Sequence, residues 1–209
     1  MSSKHDRNPV LLVHGIDDTA AVFQTMSAYL QARGWSTYSP SLTPNNGDIG
    51  LEHLAQQVAD YINTHIPKDQ PFDIVGFSMG GIVSRYYVQY LGGIQRVQRL
   101  VTISSPHQGT WIAYLRQNRG AAQMRPNSEF LQTLNQHVAM LNAIRFTSIW
   151  TPLDLTIIPA NSSQMPLGEE VQVPVALHPA MVSDRRSLQA VASALQVQPR
   201  SPKLQTEIY

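Results

Sequence analysis

Cysteine is missing from the chain, which excludes disulfides, a thiol nucleophile and every thiolate metal site. Its absence leaves the redox compartment open. Long apolar runs are missing too, since no stretch approaches the roughly 18 consecutive apolar residues that span a bilayer. The amino end, Met1 to Pro9, carries Lys4, Asp6 and Arg7 and no apolar segment before a cleavage site. The chain is therefore expected in the cytoplasm, although a secreted chain already trimmed of its leader reads the same way. Nor is there an excess of charge. Lys and Arg number 15 against 14 Asp and Glu, a formal net charge of +1, which argues against nucleic acid or an anionic membrane surface as partner. Nothing in the chain names a protein partner. Hydrophobic residues at 43% against 14% charged suit a folded chain, and 209 residues suit one domain with a substantial core.

Strand and helix patterns alternate along the chain. Pro9 to Val13 is an apolar run of the kind buried on both faces of a parallel sheet, and it leads straight into His14-Gly15. Phe23, Met26, Tyr29 and Leu30 recur at helical spacing before Gly34, and Trp35 to Ser39 reads as a short strand. After the Pro-, Asn- and Gly-rich loop 40–50 comes a helical stripe through Leu51, Leu54, Val58, Tyr61 and Ile62. Phe72 to Val75 predicts a strand, Ile82 to Leu91 a helix, and Val97 to Ile103 a strand. Residues 110–127 change character and predict a short cap or insertion. Helical spacing resumes from Phe130 to Leu141. Ile144 to Trp150 and Val171 to Val175 are the last strands, Leu188 to Leu195 closes with a helix, and residues 198–209 are expected to be a loose tail. Strands separated by helix-length segments predict a doubly wound α/β domain with ligands at the carboxyl ends of the strands.

The chemical signal is Gly76-Phe77-Ser78-Met79-Gly80-Gly81, a G-x-S-x-G motif between a strand and a helix. That context puts Ser78 on a tight turn with its hydroxyl exposed, and the glycines let strand and helix meet without colliding side chains. Ser78 is thus the candidate nucleophile. Acyl chemistry also needs oxyanion donors, and the backbone N–H groups of Met79, next to the serine, and Ile16, after the first strand, are the candidates. His14 is assigned to the substrate side of that loop, more as its organiser than as a base.

These motifs resemble the α/β-hydrolase superfamily, and within it the small bacterial triacylglycerol lipases and esterases. The resemblance runs from Pro9 to Leu195 through Val13-His14-Gly15-Ile16, the Ser78 turn, Ser104-Ser105-Pro106-His107-Gln108-Gly109-Thr110, Asp154 and His178. It implies a compact α/β-hydrolase domain whose mostly parallel sheet has about six strands flanked by helices on both faces. It also implies a triad of Ser78, Asp154 and His178, in the chain order expected of the superfamily. Asp184, Glu169 and Glu170 are the alternative acids, and Asp184 is better suited to capping the last helix. His107 is the alternative base, in a loop that the resemblance assigns to shaping the pocket.

The resemblance favours carboxylic esters, including lipid esters, as substrates. Trp111, Ile112, Tyr114 and Leu115 are candidates for an apolar acyl-binding surface, with Met165 and Leu167 bordering it; ordinary core packing is the competing explanation for each. No organic cofactor is required. The seven histidines form no close ligand pattern, so no metal is assigned. Two other classes stay open: an acyltransferase using the same acyl-enzyme, and a noncatalytic lipid-binding protein.

Overall fold

The computed structural model describes residues 7–200. Six strands, β1 (Val10–Val13), β2 (Thr37–Tyr38), β3 (Phe72–Phe77), β4 (Val97–Ile103), β5 (Arg145–Trp150) and β6 (Glu169–Gln172), form one sheet in the order β2-β1-β3-β4-β5-β6. Every neighbouring pair is parallel, so each strand's carboxyl end faces the same edge.

The alternation along the strands divides the core. Leu11 and Val13 of β1 pack with Phe72 and Ile74 of β3 in one apolar cluster, together with α2 (Leu51–His65) and α3 (Met79–Tyr90). Val10 and Leu12 pack with Val75 and Phe77 on the opposite face, under α1 (Gln24–Gln31) and α6 (Arg185–Gln196). Side chains of period two thus serve two layers at once, which is why these strands read as unbroken apolar runs. The sheet therefore lies between helices on both faces.

Several boundaries differ from the sequence reading. The last strand runs over Glu169–Gln172 rather than Val171 to Val175, because Pro174 offers no N–H to a ladder and the edge strand tolerates exposed glutamates. The Phe130 to Leu141 stripe splits into α5 (Glu129–Gln136) and a 3-10 turn over Val138–Ala143. Residues 198–200, expected to be loose, are held: Arg145 Nε donates to Gln198 O and Arg200 Nε to Ile144 O, each at 2.9 Å. The remainder of that tail, 201–209, lies outside the described residues.

Residues 110–127 contain a 3-10 turn, Trp111–Leu115, and α4 (Arg119–Gln123). This segment is tied to the loop before α2 through Gly120 N–H to Gly47 O at 2.7 Å and Asn118 Nδ2 to Asn46 O at 2.8 Å, to α2 through the Arg119–Glu52 ion pair, and to the loop after β1 through the Arg116–Asp17 ion pair. Among the described residues no helix is long and apolar enough to cross a membrane.

Candidate active site

The strand order reverses direction at β1, whose neighbours are β2 and β3, and ligands of open parallel sheets bind beside such a point. Ser78 stands there, between β3 and α3, with φ of 52° and ψ of −123°. Side-chain-bearing residues rarely adopt that region, and the fold holds Ser78 in it from two directions. Its N–H donates to Ile103 O of β4 at 2.8 Å. Gly80, in the first turn of α3, sits so close to β1 that a Cβ on it would lie 2.1 Å from Val13 O. Gly15 closes in from the other side, where an added Cβ would lie 3.1 Å from Ser78 Cβ. The His14-Gly15-Ile16 loop therefore lies against the serine turn. Met79 is the first residue of α3, so its N–H belongs to the opening turn, whose amides have no partner within the helix.

Asp154 follows β5 and His178 follows β6. His178 Nδ1 donates to Asp154 Oδ2 at 2.8 Å, while Asp154 Oδ1 accepts the N–H groups of Thr156 and Ile157, each at 2.9 Å. Thr151 Oγ1 donates to Val175 O at 2.7 Å and ties the two loops together. Burial works to raise the Asp154 carboxyl. The His178 hydrogen bond and charge, with the Ile157 and Thr156 amides, outweigh it and hold the group below its ordinary value. A carboxylate at Nδ1 keeps the proton there and leaves Nε2 as the acceptor. The His178 ring packs on Phe77, the residue before Ser78, with ring centroids 4.8 Å apart. Ser78, Asp154 and His178 are all buried side chains.

The competing assignments fall elsewhere. His107 is sealed in the core, its Nε2 3.0 Å from Thr102 Oγ1 and its Nδ1 3.4 Å from Arg85 Nη1. Burial and the Arg85 charge push it well below the ordinary imidazole value. Asp184 caps α6 by accepting from Arg186 N–H at 2.8 Å. Glu170 accepts from Trp150 Nε1 at 2.9 Å on the edge strand, and Glu169 is exposed beside it.

The structure places the substrate-side candidates in different settings. His14 is fully buried, with Nδ1 2.8 Å from Gly15 O and Nε2 accepting from Leu42 N–H at 2.9 Å. It clamps two loops and has no surface left for substrate. Trp111, Tyr114 and Leu115 are 58%, 46% and 79% exposed, so they form an outward apolar rim. Ile112 is half-buried in the same turn, its N–H on Thr110 Oγ1 at 3.3 Å. Met165 and Leu167 pack against the cluster on the α2–α3 face. Leu153, Leu155, Ile158 and Leu177, on the loops that carry Asp154 and His178, are exposed too, and Trp111 N–H donates to Ile158 O at 2.9 Å.

Sequence reasoning passed over two groups. Arg85 on α3 is wholly buried and bonds Gln89 Oε1, Leu134 O and Asn135 Oδ1. A cation inside an apolar helical stripe was the available signal. Asp18, two residues beyond Ile16, is the other. Among the described residues no three His, Asp or Glu side chains converge as metal ligands.

Residues 9–114 match the model of the palmitoyl protein thioesterase family. The chain belongs to this family. Among solved structures similar to this family member are the mature lipase BlEst2 of Bacillus licheniformis, with a TM-score of 0.76 at 14% identity over 92% of this chain and 94% of that one. Lipase B of Aspergillus fumigatus superposes with a TM-score of 0.78 at 18% identity over 96% of this chain and 56% of its own length. A pyrethroid hydrolase from Sphingobium faniae follows at 0.62 and 18%, over 92% and 98%. At these identities the likeness establishes a shared α/β-hydrolase fold.

Proposed function

We propose that this protein is a serine hydrolase of acyl esters and acyl thioesters. The observation that carries this reading is the 2.8 Å His178–Asp154 hydrogen bond at the sheet edge where Ser78 sits on its positive-φ turn. In the reaction His178 Nε2 takes the Ser78 proton as Oγ bonds to the carbonyl carbon. Asp154 holds the imidazole in its tautomer and stabilises the imidazolium. The N–H groups of Ile16 and Met79 meet the developing oxyanion. Collapse of the tetrahedral intermediate breaks the acyl–oxygen or acyl–sulfur bond, and His178 returns its proton to the departing alcohol or thiol. Water then adds to the acyl-enzyme with His178 again as base, releasing the carboxylic acid and restoring Ser78.

The substrate class draws on three supports. The family is described by its palmitoyl protein thioesterases, and two of the similar structures are lipases. The exposed apolar side chains on the loops of Asp154 and His178 and on the 111–115 turn offer an acyl chain a surface beyond the carboxyl ends of the strands, the edge that carries Ser78. The test is hydrolysis of short-, medium- and long-chain esters and their thioester counterparts by the wild type and a folded Ser78→Ala variant, with a serine-directed phosphonate to label the nucleophile. Turnover that depends on Ser78 supports the reading. A folded wild type that neither turns over any of the series nor takes up the phosphonate overturns it.

A further inference from the structure

The loop after β1 carries two adjacent acids in different settings. Asp17 is exposed and paired with Arg116 of the 110–127 segment. Asp18 is half-buried, and its backbone is fixed by its N–H on Gly15 O at 3.4 Å and by Asn45 Nδ2 on its carbonyl at 2.6 Å. Among the described residues no side chain donates to its carboxylate. The position of a Cβ on Gly15 would lie 3.1 Å from Asp18 Oδ2 and 3.1 Å from Ser78 Cβ, so little more than glycine's absent side chain separates carboxylate from nucleophile. Burial raises the Asp18 carboxyl above its ordinary value and the Asp17 charge adds to it, while the imidazoles of His14 and His178 and a hydrogen bond from the Gly15 amide work the other way. His14 is occupied at both ring nitrogens, and burial favours its neutral form. The Asp18 carboxylate, with the Gly15 amide on it and no side-chain donor among the described residues, thus lies close to Ser78 with acceptor capacity to spare.

We propose that Asp18 is a cation subsite of the active site, selecting substrates with an ammonium or similar positive group close to the scissile carbonyl and disfavouring anionic ones. The inference rests on the hydrolase reading of Ser78 and adds the charge of the substrate to it. In a half-buried site a unit charge a few ångströms away changes binding by roughly tenfold or more.

Pairs of esters that differ only in charge isolate the effect, because both members meet the same His178 and the same oxyanion donors. One pair is acetylcholine and neohexyl acetate, with the charge in the alcohol half. The other is the methyl ester of γ-trimethylammonio-butyrate and its all-carbon isostere, with the charge in the acyl half. In the wild type kcat/KM is expected to favour the cation by about tenfold in at least one pair, with the ratio falling as salt is raised. Asp18→Asn brings that ratio close to one, and Asp17→Asn leaves it in place. Should Asp18→Asn fail to fold, competition by butyltrimethylammonium against its uncharged isostere, measured on wild-type neohexyl acetate hydrolysis, reads the same preference. Ratios near one in both pairs, a preference that survives in folded Asp18→Asn, or equal competition by the two isosteres overturns the subsite alone. Absence of hydrolysis of all four esters, together with an unlabelled Ser78, overturns the hydrolase reading and the subsite with it.

Discussion

A buried aspartate stands at each end of the sheet, and the two carry their charge differently. At the carboxyl edge Asp154 accepts from His178 and from two backbone amides, and lies below the ordinary carboxyl value. At the opposite edge Asp73, at the start of β3, faces Arg99 Nη1 at 3.0 and 3.1 Å and Asn8 Nδ2 at 3.1 Å. Its carboxyl is nevertheless pushed up to about 6, because desolvation outweighs the charge and hydrogen bonds of Arg99 and Asn8. Burial alone therefore does not set the charge of an acid; the balance of solvent lost against donors gained does. The Asp154 end is arranged to hold a charge. The Asp73 end joins the start of β3 to β4 and, through Arg99 Nε on Val197 O at 2.7 Å, to the residue after α6.

If that division is real, substitutions at the carboxyl edge lower turnover and those at the Asp73 end do not. Ser78→Ala is expected to lower ester turnover by about 10⁵-fold with little change in unfolding midpoint, measured by steady-state kinetics and thermal melts on one preparation. Asp154→Asn replaces an acceptor that fixes the His178 tautomer, and turnover should drop about 10⁴-fold. Asp73→Asn replaces an acid whose charge burial disfavours with a neutral isostere and should change urea unfolding at neutral pH by no more than about 1 kcal/mol, while turnover per folded molecule stays unchanged. A large loss of turnover from Asp73→Asn at full stability would erase the distinction.

The pH dependence of stability should carry opposite signs at the two ends. Folded Asp73 keeps its proton up to about pH 6, whereas the unfolded chain releases it near the ordinary carboxyl value. The folded state then binds the extra proton, so this group's contribution to stability falls as pH rises through that window. Asp154, held lower when folded, contributes stability above its unfolded value and loses it as pH falls through its folded one. Urea midpoints of the wild type and Asp73→Asn across this range should show the decline toward pH 6 vanish in the variant. The smallest effect belongs to the exposed apolar side chains, where Leu155→Gln should lower long-chain relative to short-chain turnover by roughly tenfold or less.

How much of this could be read from the residues depended on how local each cause is. β1, β3 and β4 were legible because a strand buried on both faces must be apolar throughout. The Ser78 turn was legible because a strand reversing into a helix needs small residues at fixed offsets. β6 was misplaced because an edge strand keeps Glu169 and Glu170 in solvent, while the alternating Val171, Val173 and Val175 carry the apolar pattern past its end and across Pro174. The histidines show the limit most plainly. His14, His107 and His178 are the same letter, yet one clamps Leu42, one rests against Arg85, and one meets Asp154.

Order of elements, the sharp turn at Ser78 and the cap at the amino end of α6 follow from periodicity, sterics and short-range hydrogen bonding, and these act over a few residues of chain. Pairing of Asp154 with His178, the sealing of His14, the outward rim around Trp111 and the closeness of Asp18 to Ser78 could not be read that way. Each depends on how far a group is removed from water and on partners brought in from distant parts of the chain, and both come into being only when the layers pack.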